Sequence, residues 1–115
     1  TILNIIAELK KQDLIVMDKK SHILEFKANF ESLEFIRKKR LHNLGKLYES
    51  GVIEAIIKKM NPELISAIGS YSRGEDIEKS DIDLVIITKK KEDANLEKFE
   101  KVLKRKIHLI TTDYK

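Results

Sequence analysis

The run Leu84-Val85-Ile86-Ile87 is the segment that most limits what this chain can fold into. Side chains alternate between the two faces of a strand, so consecutive apolar residues make both faces apolar. A strand of that kind belongs in the middle of a sheet, with neighbours on each side. The apolar stretches Leu64 to Ile68 and Ile107 to Thr111 have strand length and can supply them. Strands are therefore expected near 64–69, 81–88 and 106–112, with the second one central.

The segments between them read as helices. Breakers are scarce, with one proline and four glycines, so those positions punctuate the chain. Leu33, Ile36, Arg40, Leu44, Leu47 and Tyr48 share one broad helical face, which predicts a connecting helix over 29–49. Gly51 breaks it, and Ser50 can cap the next helix. Val52, Ile53, Ile56, Ile57 and Met60 mark that second helix, which Asn61-Pro62 stops. Residues 69–80 are polar and glycine-containing and read as a loop. Lys89-Lys90-Lys91 reads as a turn, and Leu96, Phe99, Val102 and Leu103 as a third helix.

Ahead of these lies a different pattern. Ile2, Ile5, Ile6 and Leu9 recur at helical spacing. Leu14 to Met17 reads as a strand and Asp18-Lys19-Lys20-Ser21 as a turn. Ile23, Leu24 and Phe26 then lie in a second strand ending near Ala28. Helix, strand, basic turn, strand resembles the second half of a winged helix-turn-helix. Residues 1–28 are read as a partial winged-helix remnant that could touch DNA through Lys19 and Lys20. The first residue is Thr1 rather than Met, so a processed or trimmed product is expected.

Composition removes several classes of chemistry. The 115 residues contain no cysteine, which excludes disulfides, zinc-thiolate sites and a thiol nucleophile. No apolar run approaches the ~18 residues of a membrane span, and no signal peptide is visible, so no membrane partner is expected. Ile, Lys and Glu dominate and glutamine occurs only at Gln12, as in a heat-adapted cytoplasmic protein. The net charge of +4 is spread over mixed signs and says little about partners. Arg37-Lys38-Lys39-Arg40 is spread around all sides of its helix and reads as a solvated face, as do His22 and His42.

The chemistry concentrates in Gly69-Ser70-Tyr71-Ser72-Arg73-Gly74-Glu75 and Ser80-Asp81-Ile82-Asp83-Leu84. Strand alternation places Asp81 and Asp83 on one face at the start of the central strand. Paired carboxylates there suit a hard dication such as Mg²⁺. Gly69 lets a phosphate approach the backbone, and the Ser70 hydroxyl can grip its oxygens. A P-loop is the rival reading, because Gly69 and Gly74 have its glycine spacing. It fails because Glu75-Asp76 stands where Lys-Ser/Thr is required.

The motif resembles the nucleotidyltransferase superfamily related to DNA polymerase beta, whose signature is Gly-Ser, about ten residues, then Asp-x-Asp. The local form resembles the minimal nucleotidyltransferase (MNT) branch, and the resemblance covers 50–112. Four such fixed residues recur by chance on the order of once in a thousand chains this long. The resemblance implies an α+β fold: a small mixed, mostly antiparallel sheet with helices, in a domain over 50–115 after the winged-helix remnant. It implies a two-metal Mg²⁺ site on Asp81 and Asp83, and binding of ATP or another NTP by Gly69, Ser70 and Arg73. Arg73 could equally brace its loop by pairing with a carboxylate. Tyr71 is expected to pack, with its hydroxyl near the mouth of the site.

The family carries a third carboxylate on a later strand, which completes the metal site and helps deprotonate the acceptor. Here His108 occupies that place, in Lys106-Ile107-His108-Leu109. Glu75 and Asp76 are the other candidates; Asp113 is expected on the opposite face. The resemblance implies transfer of a nucleoside monophosphate, with a HEPN-domain toxin as the partner that receives AMP. Two alternatives stand beside it: a degenerate module that binds without transfer, and a winged DNA-binding regulator.

Overall fold

The computed structural model describes residues 1–90 and 92–113. Lys91, the last residue of the expected basic turn, lies outside the described residues, as do Tyr114 and Lys115. The chain divides into two compact units, Thr1–Lys39 and Arg40–Lys115.

The first unit holds helix α1 (Ile2–Lys11), strands β1 (Ile15–Lys20) and β2 (Ile23–Ala28), and the start of helix α2 (Leu33–Ser50). Thr1 caps α1 by accepting from the Asn4 amide at 3.3 Å. β1 and β2 form an antiparallel hairpin, from Ile15 opposite Ala28 to Lys20 opposite Ile23. The turn is therefore Ser21-His22, later than the expected Asp18–Ser21, because β1 runs on through its two lysines. Ser21 takes a positive φ of 58° there. α2 begins at Leu33 rather than at residue 29, since Ser32 accepts from the Phe35 amide and sets its start. No residue of this unit is fully buried: Ile2, Leu3, Ile23, Phe30 and Leu33 all lie more than half exposed. A segment of about 40 residues cannot enclose a core unaided.

The second unit has a true core. It contains the rest of α2, then α3 (Val52–Met60), β3 (Leu64–Ile68), α4 (Gly69–Arg73), β4 (Ile82–Ile87), α5 (Glu97–Leu103) and β5 (Ile107–Thr112). The strands form a sheet in the order β3-β4-β5. β3 is antiparallel to β4, and β4 is parallel to β5. The parallel pair needs a crossover, which α5 supplies. The apolar run thus lies in the central strand, as its sequence demands. Its two faces differ, however. Ile82, Leu84 and Ile86 are fully buried against Leu47, Val52, Ile56 and Met60, with Phe99 and Leu103 packed beside them. Asp83, Val85 and Ile87 on the other face are only partly buried.

Local signals explain the ends of the helices. Ser50 donates its hydroxyl to the Leu47 carbonyl at 2.8 Å and accepts from the Val52 amide at 3.2 Å. Asn61 ends α3 in the left-handed region, with its amide bonded to the Ile57 carbonyl. The next freed carbonyl, that of Met60, accepts from the buried Thr88 hydroxyl at 2.7 Å. Among the described residues no helix is long and apolar enough to cross a membrane.

Candidate active site

Strand register brings the motif together. Ile68, the last residue of β3, lies opposite Asp83 in β4, and Asp83 lies beside His108 in β5. The expected start of β4 is one residue early: Asp81 stands just ahead of the strand, and Asp83 is its second residue. The Ile82 amide donates to the Lys106 carbonyl at 2.8 Å, which fixes the strand's start. Asp83 is on the open face, with its side chain 34% exposed.

Gly69 follows Ile68 directly, with a φ of +78° that L side chains rarely adopt. A methyl group on its α-carbon would lie 2.9 Å from Oδ2 of Asp83, too close for any real contact. The glycine thus makes room for a carboxylate on the neighbouring strand. The chain then turns into α4, a single helical stretch inside what the sequence alone presents as loop. Gly74 closes it in the left-handed region. Ser72 ties back to the Gly69 carbonyl at 2.8 Å.

Two polar groups here are uncommitted. Among the described residues, the Asp81 carboxylate and the Ser70 hydroxyl have no hydrogen-bond or ionic partner. Asp83 has one neighbour of that kind, His108, whose Nδ1 lies 3.4 Å from Oδ1. His108 is 65% exposed, and the pair makes no hydrogen bond. His108, the residue expected in the third carboxylate's place, thus lies beside Asp83.

Other sequence candidates lie elsewhere. Asp76 is not available as a third carboxylate: it is buried in a network of its own. Asn43 donates to Oδ1 of Asp76 at 2.7 Å and to the Tyr71 carbonyl at 2.9 Å. Arg105 donates to Oδ2 of Asp76 at 3.0 Å, to the Ser80 carbonyl at 3.5 Å and to the Ile77 carbonyl. Tyr71 packs, as expected, but its hydroxyl does not face a site mouth. It donates to the Asn43 carbonyl at 3.3 Å inside the unit. Burial raises its phenol above the ordinary 10.0, the Asp76 carboxylate adds to that, and the Arg105 guanidinium opposes it. Arg73 pairs with Glu75 at 3.3 Å, the bracing arrangement, and both side chains remain more than half exposed. Arg40 donates to the Arg73 carbonyl at 2.8 Å and so fixes the end of α4.

Sequence reasoning missed Asn43 and Arg105, which hold the 69–80 connection in place. Asn43 had a usable signal. It lies one turn before Leu47, and both are buried, on a line where a polar residue needs a partner. The face predicted through Leu44 and Tyr48 is rotated from the observed one, since both of those side chains are exposed.

Among the described residues no three Asp, Glu, His or Cys side chains converge into a protein cage. Mg²⁺ is usually held by one or two carboxylates with phosphate oxygens and water filling the remaining positions. The Asp83 carboxylate beside the gap at Gly69 fits that mode, and Asp81 lies two residues ahead of it in the chain without a partner among the described residues. No curated protein and no solved structure matches the chain. The family model described as nucleotidyltransferase domain matches residues 50–115, which include Gly69, Ser70, Asp81, Asp83 and His108 and the strands β3, β4 and β5. More than half of the chain is matched, and the chain belongs to the nucleotidyltransferase domain family.

Proposed function

We propose that the chain transfers AMP from ATP to an acceptor hydroxyl, a tyrosine of a HEPN-domain toxin, and so acts as its antitoxin. The close approach of Gly69 to the Asp83 carboxylate carries this reading. It supports a reading in which a phosphate chain meets both the backbone after β3 and the Asp83 carboxylate of β4. Ser70 offers a free hydroxyl to a phosphate oxygen, and Asp81 and Asp83 would hold Mg²⁺. When bound, that cation supplies charge neutralisation to the triphosphate and to the leaving pyrophosphate. His108, open to solvent, would accept the proton of the acceptor hydroxyl as it attacks the α-phosphate and pyrophosphate leaves. The resemblance of Gly-Ser-Tyr-Ser-Arg-Gly-Glu to the MNT branch supports the choice of AMP and of the toxin.

The test is a labelling reaction. The protein is incubated with Mg²⁺, ATP labelled at the α-phosphate and the product of the adjacent gene. Label is expected on a tyrosine of that product, and Asp83→Asn is expected to abolish it. No labelling by the wild type, together with intact neutralisation by the Asp81→Asn/Asp83→Asn protein, overturns transfer. It would establish a module that acts by contact, the reading that His108 in the third acid's place favours.

A further inference from the structure

We propose that a basic groove beside β5 binds an acidic segment of the acceptor protein, close in its chain to the residue whose hydroxyl is modified. The inference rests on the transfer reading of the site and names the class of acceptor it takes.

The groove lies at the end of α5 and the start of β5 and has a volume of about 390 Å³. Glu97, Glu100, Lys101, Lys104, Arg105 and Lys106 line it. Two of these groups are committed. Glu100 accepts from the Ile107 amide at 2.8 Å, and Arg105 is held by the buried Asp76 at 3.0 Å. Lys101, Lys104 and Lys106 are exposed, and none of them is in an ion pair among the described residues. Lys104 adds a backbone signal. It ends α5 at a φ of 57°, in the left-handed region where glycine is the unstrained choice. The chain has a charged side chain at the groove despite that strain.

Register joins the groove to the site. Ile82 lies beside Ile107, and the Ile82 amide bonds to the Lys106 carbonyl at 2.8 Å. The ladder therefore reaches Lys106, which is the register neighbour of Asp81. Lys106 and His108 flank Ile107, so their side chains leave the same face, with α-carbons about 7 Å apart. A hydroxyl that gives its proton to His108 has to lie within hydrogen-bond reach of that imidazole. In an extended acceptor segment, the residue two places from that hydroxyl then meets Lys106, and the residues beyond it enter the groove.

Charge decides what those residues are. Solvent-exposed ion pairs are weak one by one, yet they steer encounter and select partners by sign. Three free ammonium groups suit a few carboxylates. Glu97 and Glu100 in the same wall repel a chain with a phosphate at every residue, which favours an acidic peptide over a nucleic acid.

The experiment measures binding of dye-labelled probes to the full chain by fluorescence anisotropy at low salt. The probes are a tyrosine peptide flanked by glutamates, one flanked by lysines, and a single-stranded RNA of equal length. The glutamate peptide is expected to bind best and to weaken as salt is raised. Lys101→Gln/Lys104→Gln/Lys106→Gln should weaken it about tenfold, the sum of three exposed pairs. Lys104→Gly should weaken it about twofold without lowering the unfolding midpoint, which separates binding from capping of α5. In the labelling reaction the triple variant should raise KM for the acceptor and leave kcat unchanged. Equal binding of the two peptides, unchanged affinity in the triple variant, or tighter binding of the RNA through the same lysines overturns the proposal. Labelling by the triple variant at an unchanged KM also overturns it and leaves transfer standing. A wild type that binds the glutamate peptide through these lysines but labels no acceptor keeps the groove as a binding surface and overturns transfer.

Discussion

Asp76 and Asp83 lie seven residues apart in one unit and are opposites. Asp76 is fully buried and each of its oxygens has a donor, from Asn43 and Arg105. Asp83 sits on an open face with an imidazole that gives it no hydrogen bond. A carboxylate taken out of water is tolerable only when paired and hydrogen-bonded. A carboxylate that must take up a ligand has to stay uncommitted. The first acid holds the 69–80 connection in shape, and the second uses the shape.

The difference can be broken from either side. The largest effect is expected at Asp83: Asp83→Asn should lower transfer at least a thousandfold, about 4 kcal/mol in the barrier. Its unfolding midpoint in denaturant should stay within about 0.5 kcal/mol of the parent. A large loss of stability there would erase the distinction. Arg105→Ala is the mirror experiment. It strands the Asp76 carboxylate in the interior, so unfolding should become easier by about 3–5 kcal/mol. A change below about 1 kcal/mol would show that Asp76 is not held as the geometry implies.

Smaller effects sharpen the same contrast. Gly69→Ala meets both a left-handed backbone and the Asp83 carboxylate, and should destabilise by about 1–3 kcal/mol while displacing the acid. Two serines make a matched pair. Ser50 is committed through both its lone pair and its proton, so Ser50→Ala should cost about 1 kcal/mol. The Ser70 hydroxyl has no partner among the described residues, so Ser70→Ala should leave the unfolding midpoint nearly unchanged and weaken nucleotide binding. The smallest effect concerns Tyr71. Its phenol ionises above the ordinary 10.0 in the fold, chiefly through burial. Its contribution to stability is therefore full below about pH 10 and is lost as pH rises through the folded value. Tyrosinate absorbance should show a late phase that Tyr71→Phe removes; its presence in that variant would assign it to another tyrosine.

Much of this was legible in the residues. The double-faced apolar run demanded a central strand, and β4 is central. The spacing of Gly69-Ser70 from Asp81 and Asp83 named the family, which the matched segment bears out. What escaped was pairing across long separations. Nothing local to Asp76 says that it is buried, because its donors Asn43 and Arg105 lie 33 and 29 residues away. The same limit applies to the covered face of the sheet. Alternation predicts which residues of β4 share a side, but Val85 and Ile87 are as apolar as Leu84 and Ile86. Only the packing of α3 and its neighbours decides between the two sides. Within 69–80, the polar composition concealed a short helix because its glycine ends look like loop.

The central place of β4 also sets how the site behaves when the molecule breathes. Backbone amides of a strand paired on both sides are expected to open only with the whole unit. The short helix after Gly69 is tied to α2 by Arg40 and Asn43 and anchored by buried Tyr71, so it is expected to open with that unit as well. A triphosphate would then meet a site whose backbone turn and whose Asp83 are both set before it arrives.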